Sequence, residues 1–229
     1  MKRIYPLLFM LAMLAASTRL YAQFPTNGDC LGAIPLCQSV YTFNSSANGP
    51  GNYTDLPVLG AANENHCPTN CISAGEANTT WYVFTTQSGG LVNFTLTPND
   101  PADDYDWAVY NITTGGCSGI YAGGMQVSCN YCLNTGSTGP NGGGTYWCEG
   151  PNGCNQYNAP IPVSAGQTYA LMVGNFSGSF NGYSLNFGAS TASIVDNSPP
   201  QVVSLVTPIL CGASQLQISF SENINCSSI

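Results

Sequence analysis

Basic residues are nearly absent from this chain of 229 residues: Lys2, Arg3 and Arg19 stand against 11 Asp and Glu. All three fall within residues 1–22, where a basic start, an apolar run and small residues up to Ala22 predict a secretory signal peptide cleaved after Ala22. The mature chain would then carry no Lys or Arg and all 11 acidic residues, a formal charge of −11. Nucleic acid and anionic membrane surfaces are excluded as partners, because neutralising phosphates requires cations.

Long apolar runs and helical periodicity are also scarce. The apolar part of the signal peptide is too short to cross a membrane, and no later segment approaches that length. Instead, short segments rich in Thr, Val, Tyr and Phe alternate in polarity between clusters of turn residues, which predicts an all-β, antiparallel β-sandwich. The predicted strands are 79–86, 91–97, 106–111, 168–175 and 183–187, and the one predicted helical turn lies near 29–33.

Composition also predicts the domain organisation. Residues 115–160 are rich in glycine and are expected to form a disulfide-stapled loop of the kind that often carries binding. Residues 191–200 end in two prolines and are expected to be a linker. We therefore predict one module over 23–190. Residues 201–229 would be the start of a second β-sandwich domain in a longer protein, since about thirty residues cannot close a sandwich.

The predicted mature chain contains all eleven cysteines. In an exported protein this density indicates disulfides rather than zinc ligands. The expected pairs are Cys30 with Cys37, Cys67 with Cys71, Cys117 with Cys129, Cys148 with Cys154, and Cys211 with Cys226. Cys132 is left over, either free or paired elsewhere.

Two segments together resemble a known family. TTWYVFTTQSGGLVNFTLTPNDPADDYDWAVYN at 79–111 and VSAGQTYALMVGNFSGSFNGYSLNF at 163–187 resemble the pre-peptidase C-terminal (PPC) type of β-sandwich, a jelly-roll-like fold. The variants they most resemble lie at the N-termini of type IX-secreted, gliding-motility-associated surface proteins, and NGDCLGAIPLC at 27–37 resembles their opening. ISFSENINCSSI at 218–229 resembles the start of a bacterial Ig-like repeat. The resemblance covers about residues 24–190 and implies an extracellular accessory module without catalysis of its own.

Four carboxylates crowd into NDPADDYDWAVY at 99–110. In a strand that begins near Asp104, Asp104 and Asp106 point to one face, while Trp107 and Val109 point to the core on the other. Adjacent like charges repel unless a cation intervenes, and Ca²⁺ accepts roughly six to eight oxygen ligands. We therefore predict a calcium site, with a solvated acidic turn as the alternative. The predicted ligands are Asp104 and Asp106, with Asp100, Asp103 and, by resemblance to PPC-like and CUB-like sandwiches, Glu76 as further contributors.

A catalytic constellation is not evident. His66 is the single histidine, and a hydrolase of the triad type would need it beside a nucleophile. We interpret it as a surface histidine. A glycosidase that pairs Glu76 or Glu149 with an aspartate stays open from sequence alone, although the resemblance argues against it.

Aromatic residues in the glycine-rich region could stack on sugar rings or pack the loop onto the sandwich. The candidates for ligand binding are Tyr146, Trp147 and Tyr131.

The sequence supports two hypotheses for the function. The first is a non-catalytic, calcium-stabilised recognition or adhesion module of a larger secreted or surface protein, binding an extracellular glycan or protein. The second is a targeting or stabilising module of a secreted hydrolase whose catalytic domain lies outside these residues.

Overall fold

The structure of the chain is a computed structural model. It describes residues 24–56, 71–72, 75–123, 125–150, 154–195, 201–205 and 218–220. The predicted signal peptide, His66, Cys67, Cys211 and Cys226 lie outside the described residues.

Short β-strands dominate the described part of the chain. In chain order they are β1 (Ile34–Pro35), β2 (Val40–Phe43), β3 (Thr79–Thr85), β4 (Gly90–Val92), β5 (Thr95–Pro98), β6 (Tyr105–Asn111), β7 (Gln126–Asn130), β8 (Cys148–Glu149), β9 (Ile161–Val163), β10 (Thr168–Asn175), β11 (Tyr183–Asn186), β12 (Val202–Leu205) and β13 (Ile218–Phe220). A six-stranded sheet has the order β1-β3-β10-β6-β7-β8, and a three-stranded sheet has the order β2-β11-β5. The pairs β4-β9 and β12-β13 form two-stranded ribbons. The all-β sandwich is therefore confirmed.

Four of the predicted strands appear as single strands, namely β3, β6, β10 and β11. The fifth, 91–97, is divided into β4 and β5, which belong to different sheets. Asn93 lies at the break, where its backbone N–H donates to Ser190 Oγ and its side-chain amide donates to Ala189 O. These bonds take the place of ladder bonds while the chain passes from the ribbon to the three-stranded sheet.

One face of the six-stranded sheet packs against the three-stranded sheet and the β4-β9 ribbon. The side chains that meet there form the first core, in which alternate residues of each strand point inward. Several of its rings contact one another, including Phe94 and Trp107, whose centroids are 4.9 Å apart. The first core comprises Leu36, Tyr82, Phe84, Val92, Phe94, Leu96, Tyr105, Trp107, Val109, Ile161, Val163, Tyr169, Leu171, Val173, Tyr183, Leu185, Phe187, Ala192 and Ile194.

The opposite face of the six-stranded sheet is also buried, beneath irregular segments rather than a second sheet. Residues of β3, β6, β7, β8 and β10 contribute from the sheet, and the segments before β1 and around the short helix α1 (Ser118–Ala122) cover them. The second core comprises Cys30, Leu56, Cys71, Ile72, Trp81, Ala108, Tyr110, Ile112, Ile120, Cys129, Tyr131, Cys148, Ala170 and Met172. The main sheet is thus covered on both sides.

The predicted local disulfides are wrong wherever the described residues test them. Cys30 bonds to Cys117 across 87 residues, Cys71 to Cys129 across 58, and Cys132 to Cys154 across 22. Cys37, expected to pair with Cys30, is a free and exposed cysteine. Cys148 is disulfide-bonded, but not to Cys154. The physical reason is that covering segments fold over the sheet and bring distant cysteines together, for example Cys30 and Cys117 with Cα atoms 5.7 Å apart.

The glycine-rich region is more ordered than a single loop. It contains α1 and contributes β7 and β8 to the main sheet, so the prediction of a loop over 115–160 holds only for its remaining parts. The expected turn near 29–33 is a 3₁₀ helix at Cys30–Gly32, and α1 is a helix that the sequence did not indicate. None of the helices in the described ranges is long and apolar enough to cross a membrane.

The start of the predicted linker packs on the sandwich. Ala192 and Ile194 belong to the first core, and Thr191 N–H donates to Leu91 O. Residues 196–200 lie outside the described ranges. After them, β12 and β13 pair as an antiparallel ribbon. That this ribbon begins a second sandwich domain stays a prediction.

Candidate functional site

Strand β6 places the acidic stretch as the alternation predicts. Trp107 and Val109 enter the first core, while Ala108 and Tyr110 enter the second. Asp106 has the same parity as Ala108 and therefore lies on the second-core face. Asp104 precedes β6 and is fixed by the loop after β10, since its backbone N–H donates to Ser177 Oγ at 2.7 Å.

The Asp104 carboxylate is buried without a partner for one of its oxygens. Its side chain is 7% exposed, and Oδ1 has no hydrogen-bond partner within the described part of the protein. Burial raises the pKa of Asp104 to about 6. Burial, followed by the neighbouring Asp104 carboxylate, raises the pKa of the Asp106 carboxyl well above its ordinary value. A buried acceptor costs free energy when left unpaired, and two adjacent carboxylates add repulsion.

Asp103 and Asp100 are held by other groups. Asp103 Oδ2 accepts hydrogen bonds from Ser179 Oγ at 2.6 Å and Asn181 Nδ2 at 3.1 Å, which tie it to the loop between β10 and β11. Asp100 is exposed and accepts from the backbone N–H of Ala102 at 2.9 Å. Both side chains therefore have a structural role in the turn that leads into β6.

Glu76 lies beside a carboxylate that the sequence did not point to, that of Asp55. Glu76 Oε2 accepts from the backbone N–H groups of Asp55 and Leu56 at 2.8 and 3.3 Å, and Oε1 accepts from Trp81 Nε1 at 3.3 Å. Burial, against the opposing effect of these hydrogen bonds and aided by the Asp55 charge, raises the pKa of Glu76 to about 7. No sequence signal distinguishes Asp55, because it stands alone in a polar segment.

Of the five residues predicted to bind calcium, only Asp104 and Asp106 have carboxylates that lie together without other described groups to hold them. Among the described residues, no group of three or more His, Cys, Asp or Glu side chains is placed to share a metal ion. Asp104 and Asp106 are close enough for one charge to raise the pKa of the other. A cation at this pair would need backbone carbonyls or water for its remaining ligands, which Ca²⁺ accepts readily.

The three aromatic residues predicted to bind a ligand differ in their exposure to solvent. Tyr146 and Trp147 are 48% and 51% exposed, and we call these two residues the aromatic patch. Tyr131 is only 7% exposed and belongs to the second core. Its assignment to ligand binding is therefore corrected, because its ring is occupied by packing against the main sheet.

The aromatic patch is held firmly by backbone and side-chain hydrogen bonds. Trp147 Nε1 donates to Pro160 O at 3.1 Å, and Trp147 O accepts from Ser128 Oγ at 2.7 Å and from Asn158 Nδ2 at 2.9 Å. Tyr146 O accepts from the backbone N–H of Ala159 at 2.8 Å. Exposed rings on a fixed backbone lose little conformational entropy on binding, which favours recognition.

Glu149, the other carboxylate considered for a glycosidase, is 5% exposed, and its Oε2 accepts from the backbone N–H of Asn155 at 3.0 Å. This bond links β8 to the segment near the Cys132–Cys154 disulfide. In this position Glu149 fixes the start of the segment between β8 and β9.

Comparison of the chain with family models, with curated proteins and with solved structures finds no match.

Proposed function

We propose that this chain is a non-catalytic, calcium-stabilised recognition module of a larger secreted or cell-surface protein, and that its aromatic patch binds an extracellular glycan or protein. The observation that carries this proposal is Trp147, a half-exposed indole whose ring nitrogen and backbone are both fixed. Trp and Tyr are enriched at binding interfaces because they offer a large apolar area with few rotatable bonds.

Two further features support an extracellular module. The disulfides suit an oxidising compartment, and the predicted signal peptide supplies a route to it. The absence of Lys and Arg from the predicted mature chain disfavours nucleic acid as the ligand.

Calcium is proposed at Asp104 and Asp106. The unpartnered, buried Asp104 Oδ1 and the adjacent carboxylate fit a hard cation with oxygen ligands, since no described basic residue is available to pair with them. When bound, the ion would satisfy Asp104 and remove the repulsion between the two carboxylates. It would also fix the entry to β6, and with it the loop after β10 that contacts Asp104.

The recognition proposal is tested by binding of the purified protein to immobilised cellulose, chitin and collagen. We expect retention on at least one of them, and we expect Trp147→Ala to reduce it strongly. Leu133→Ala is the matched control, because Leu133 is 60% exposed in the same region but lies outside the aromatic patch. Retention on none of the three, or equal retention of Trp147→Ala and wild type, would contradict the proposal.

The calcium proposal is tested by thermal unfolding with calcium and with chelator. Binding only to the folded state stabilises it by about 2.7 kcal/mol at a hundredfold excess over Kd, so the melting temperature should fall by several degrees in chelator. Asp106→Asn should abolish the difference, whereas Asp100→Asn, at an exposed turn position, should preserve it. An unchanged melting temperature together with no heat of binding at millimolar calcium would exclude the ion.

A further inference from the structure

A cavity of about 270 Å³ opens beside the beginning of β3. Three segments that are distant in sequence form its walls, namely residues 26–28, 43–51 and 79–80, and Tyr183 of β11 completes them. Every described residue that lines the cavity is uncharged. The nearest carboxylate, that of Asp29, lies behind the wall, where its Oδ2 accepts from the backbone N–H and the hydroxyl of Thr26.

The cavity has one apolar wall and a polar mouth. Phe43 and Tyr183 are the aromatic residues of the lining, and the partly buried ring of Phe43 lies against that of Tyr183, with centroids 5.2 Å apart. The side chains of Asn27, Ser45 and Asn48 are exposed at the opening, and no hydrogen bond within the described part of the chain occupies their amide or hydroxyl groups. Each Asn amide offers both donors and an acceptor.

The walls are held in place by close backbone contacts. A Cβ atom on Gly28 would lie 2.8 Å from Gly51 Cα, so a larger residue there would push the two segments apart. The backbone N–H of Thr79 donates to Gly49 O at 3.1 Å, and Gly49 N–H donates to Asn78 Oδ1 at 3.0 Å. Asn78 has φ of 49°, a left-handed conformation that costs free energy in a non-glycine residue. The opening is therefore preformed.

Size and chemistry together define the ligand class. A volume of about 270 Å³ is at the small end of ligand sites and suits one small ring rather than a folded or polycyclic ligand. A neutral lining gives no ionic anchor for a charged ligand. Free amides and hydroxyls around an aromatic wall match a ring that has hydroxyl groups at its edge and C–H groups on its face.

We infer that this cavity binds one ring of an uncharged saccharide. The hydroxyls of the ring bond to Asn27, Ser45 and Asn48, and its C–H face lies on Phe43. The site is separate from the aromatic patch, because the cavity adjoins β3 and the patch adjoins β8 at the far edge of the six-stranded sheet. It therefore does not depend on the recognition proposed for Trp147.

The inference is tested by saturation-transfer NMR and calorimetry with free glucose, galactose and N-acetylglucosamine, and with glucuronic acid, galacturonic acid and glucosamine as their respective charged analogues. We expect at least one neutral sugar to bind at about 10 mM or below, and its charged counterpart to bind about tenfold more weakly. Ala47→Phe should abolish binding by filling the cavity, whereas Ala165→Phe, in the exposed loop after β9 at the other end of β3, should not.

A second variant is needed because Ala47→Phe could lose binding simply by misfolding. Asn48→Ala removes an exposed side chain without an internal hydrogen bond, so the fold should be kept while affinity falls about fivefold or more. Absence of binding by all three neutral sugars would overturn the inference. Binding that survives Asn48→Ala unchanged, or that Trp147→Ala removes, would overturn it as well, since the ligand would then lie elsewhere. Failure of Trp147→Ala to alter polymer binding would contradict only the function proposed for the aromatic patch.

Discussion

The two faces of the six-stranded sheet are buried by different means. Strand β6 supplies both, with Trp107 and Val109 in the first core and Ala108 and Tyr110 in the second. On the first face, a second sheet and a ribbon bring their own ladder hydrogen bonds and a cluster of contacting rings. On the second, irregular segments cover the sheet, and the disulfides Cys30–Cys117 and Cys71–Cys129 fasten them.

This difference explains where the polar chemistry lies. Strand-on-strand packing leaves little room for charged groups, because most inward positions are apolar and the polar ones, such as Thr80 and Asn175, are uncharged. Covering segments with free backbone N–H groups can accommodate carboxylates, as Glu76 and Asp55 show by accepting from Leu56 and Cys30. The disulfides close long loops and so lower the entropy of the unfolded chain. This stabilises the folded state and offsets the smaller number of regular hydrogen bonds on the second face.

Removing the disulfide between Cys30 and Cys117 should lower the stability of the protein more than any of the other changes below. It closes a loop of 87 residues, so the double variant Cys30→Ala/Cys117→Ala should lose about 4 to 5 kcal/mol of unfolding free energy. Urea denaturation without reductant measures this loss. Cys37→Ala is the control, because Cys37 is free and exposed and its replacement should change stability by less than about 0.5 kcal/mol. Equal curves for the double variant and wild type would show that the second core does not depend on this bond.

Trp107→Ala should break the first core at a cost of about 3 to 5 kcal/mol. Trp107 is fully buried, packs edge-on to Phe94 and donates from Nε1 to Thr138 Oγ1 at 3.0 Å. No described disulfide crosses the first core. The difference in unfolding free energy between Trp107→Ala and wild type should therefore be the same with and without reductant, although both proteins become less stable when reduced. A loss below about 1 kcal/mol would mean that Trp107 is not a tightly packed part of the first core, and a loss that depends on reductant would mean that the two cores are not independent.

Glu76 should make the second core sensitive to pH. Its pKa rises from 4.5 to about 7, chiefly through burial. As pH increases from about 4.5 to 7, the unfolded chain loses this proton while the folded chain retains it, so stability falls and then levels off. The full shift would correspond to about 3.4 kcal/mol, and solvent screening of the partly exposed Glu76 reduces the expected loss to on the order of 2 kcal/mol. Denaturation across this range in chelator, compared with Glu76→Gln, isolates the contribution of Glu76. A wild-type curve parallel to that of Glu76→Gln would contradict the prediction.

The aromatic patch should contribute least to stability. Tyr146→Ala removes a ring that is 48% exposed while keeping the backbone bond to Ala159, so the unfolding free energy should change by no more than about 1 kcal/mol. Thermal unfolding measures this change beside that of Trp107→Ala. A loss as large as the core variant's would place Tyr146 in the packing of the module rather than in recognition.

Local periodicity determined much of the architecture. Alternation alone located β3, β6, β10 and β11 and predicted that Trp107 faces a core away from Asp106, because side-chain direction in a strand follows residue parity. It also placed Asp104 and Asp106 near each other, since two residues of the same parity are neighbours on one face. The charge balance of the chain likewise follows from composition, while the exclusion of nucleic acid as a partner stays a prediction.

Only the tertiary structure decided how distant segments meet. The path of the covering segments pairs Cys30 with Cys117, places Glu76 beside Asp55, buries Tyr131 while exposing Trp147, and assembles a neutral cavity from three parts of the chain. None of these follows from spacing, because the segments between strands have no fixed period and their course depends on which sheet face they cover. The local pattern therefore determines the strands, and the packing of irregular segments against them determines the sites.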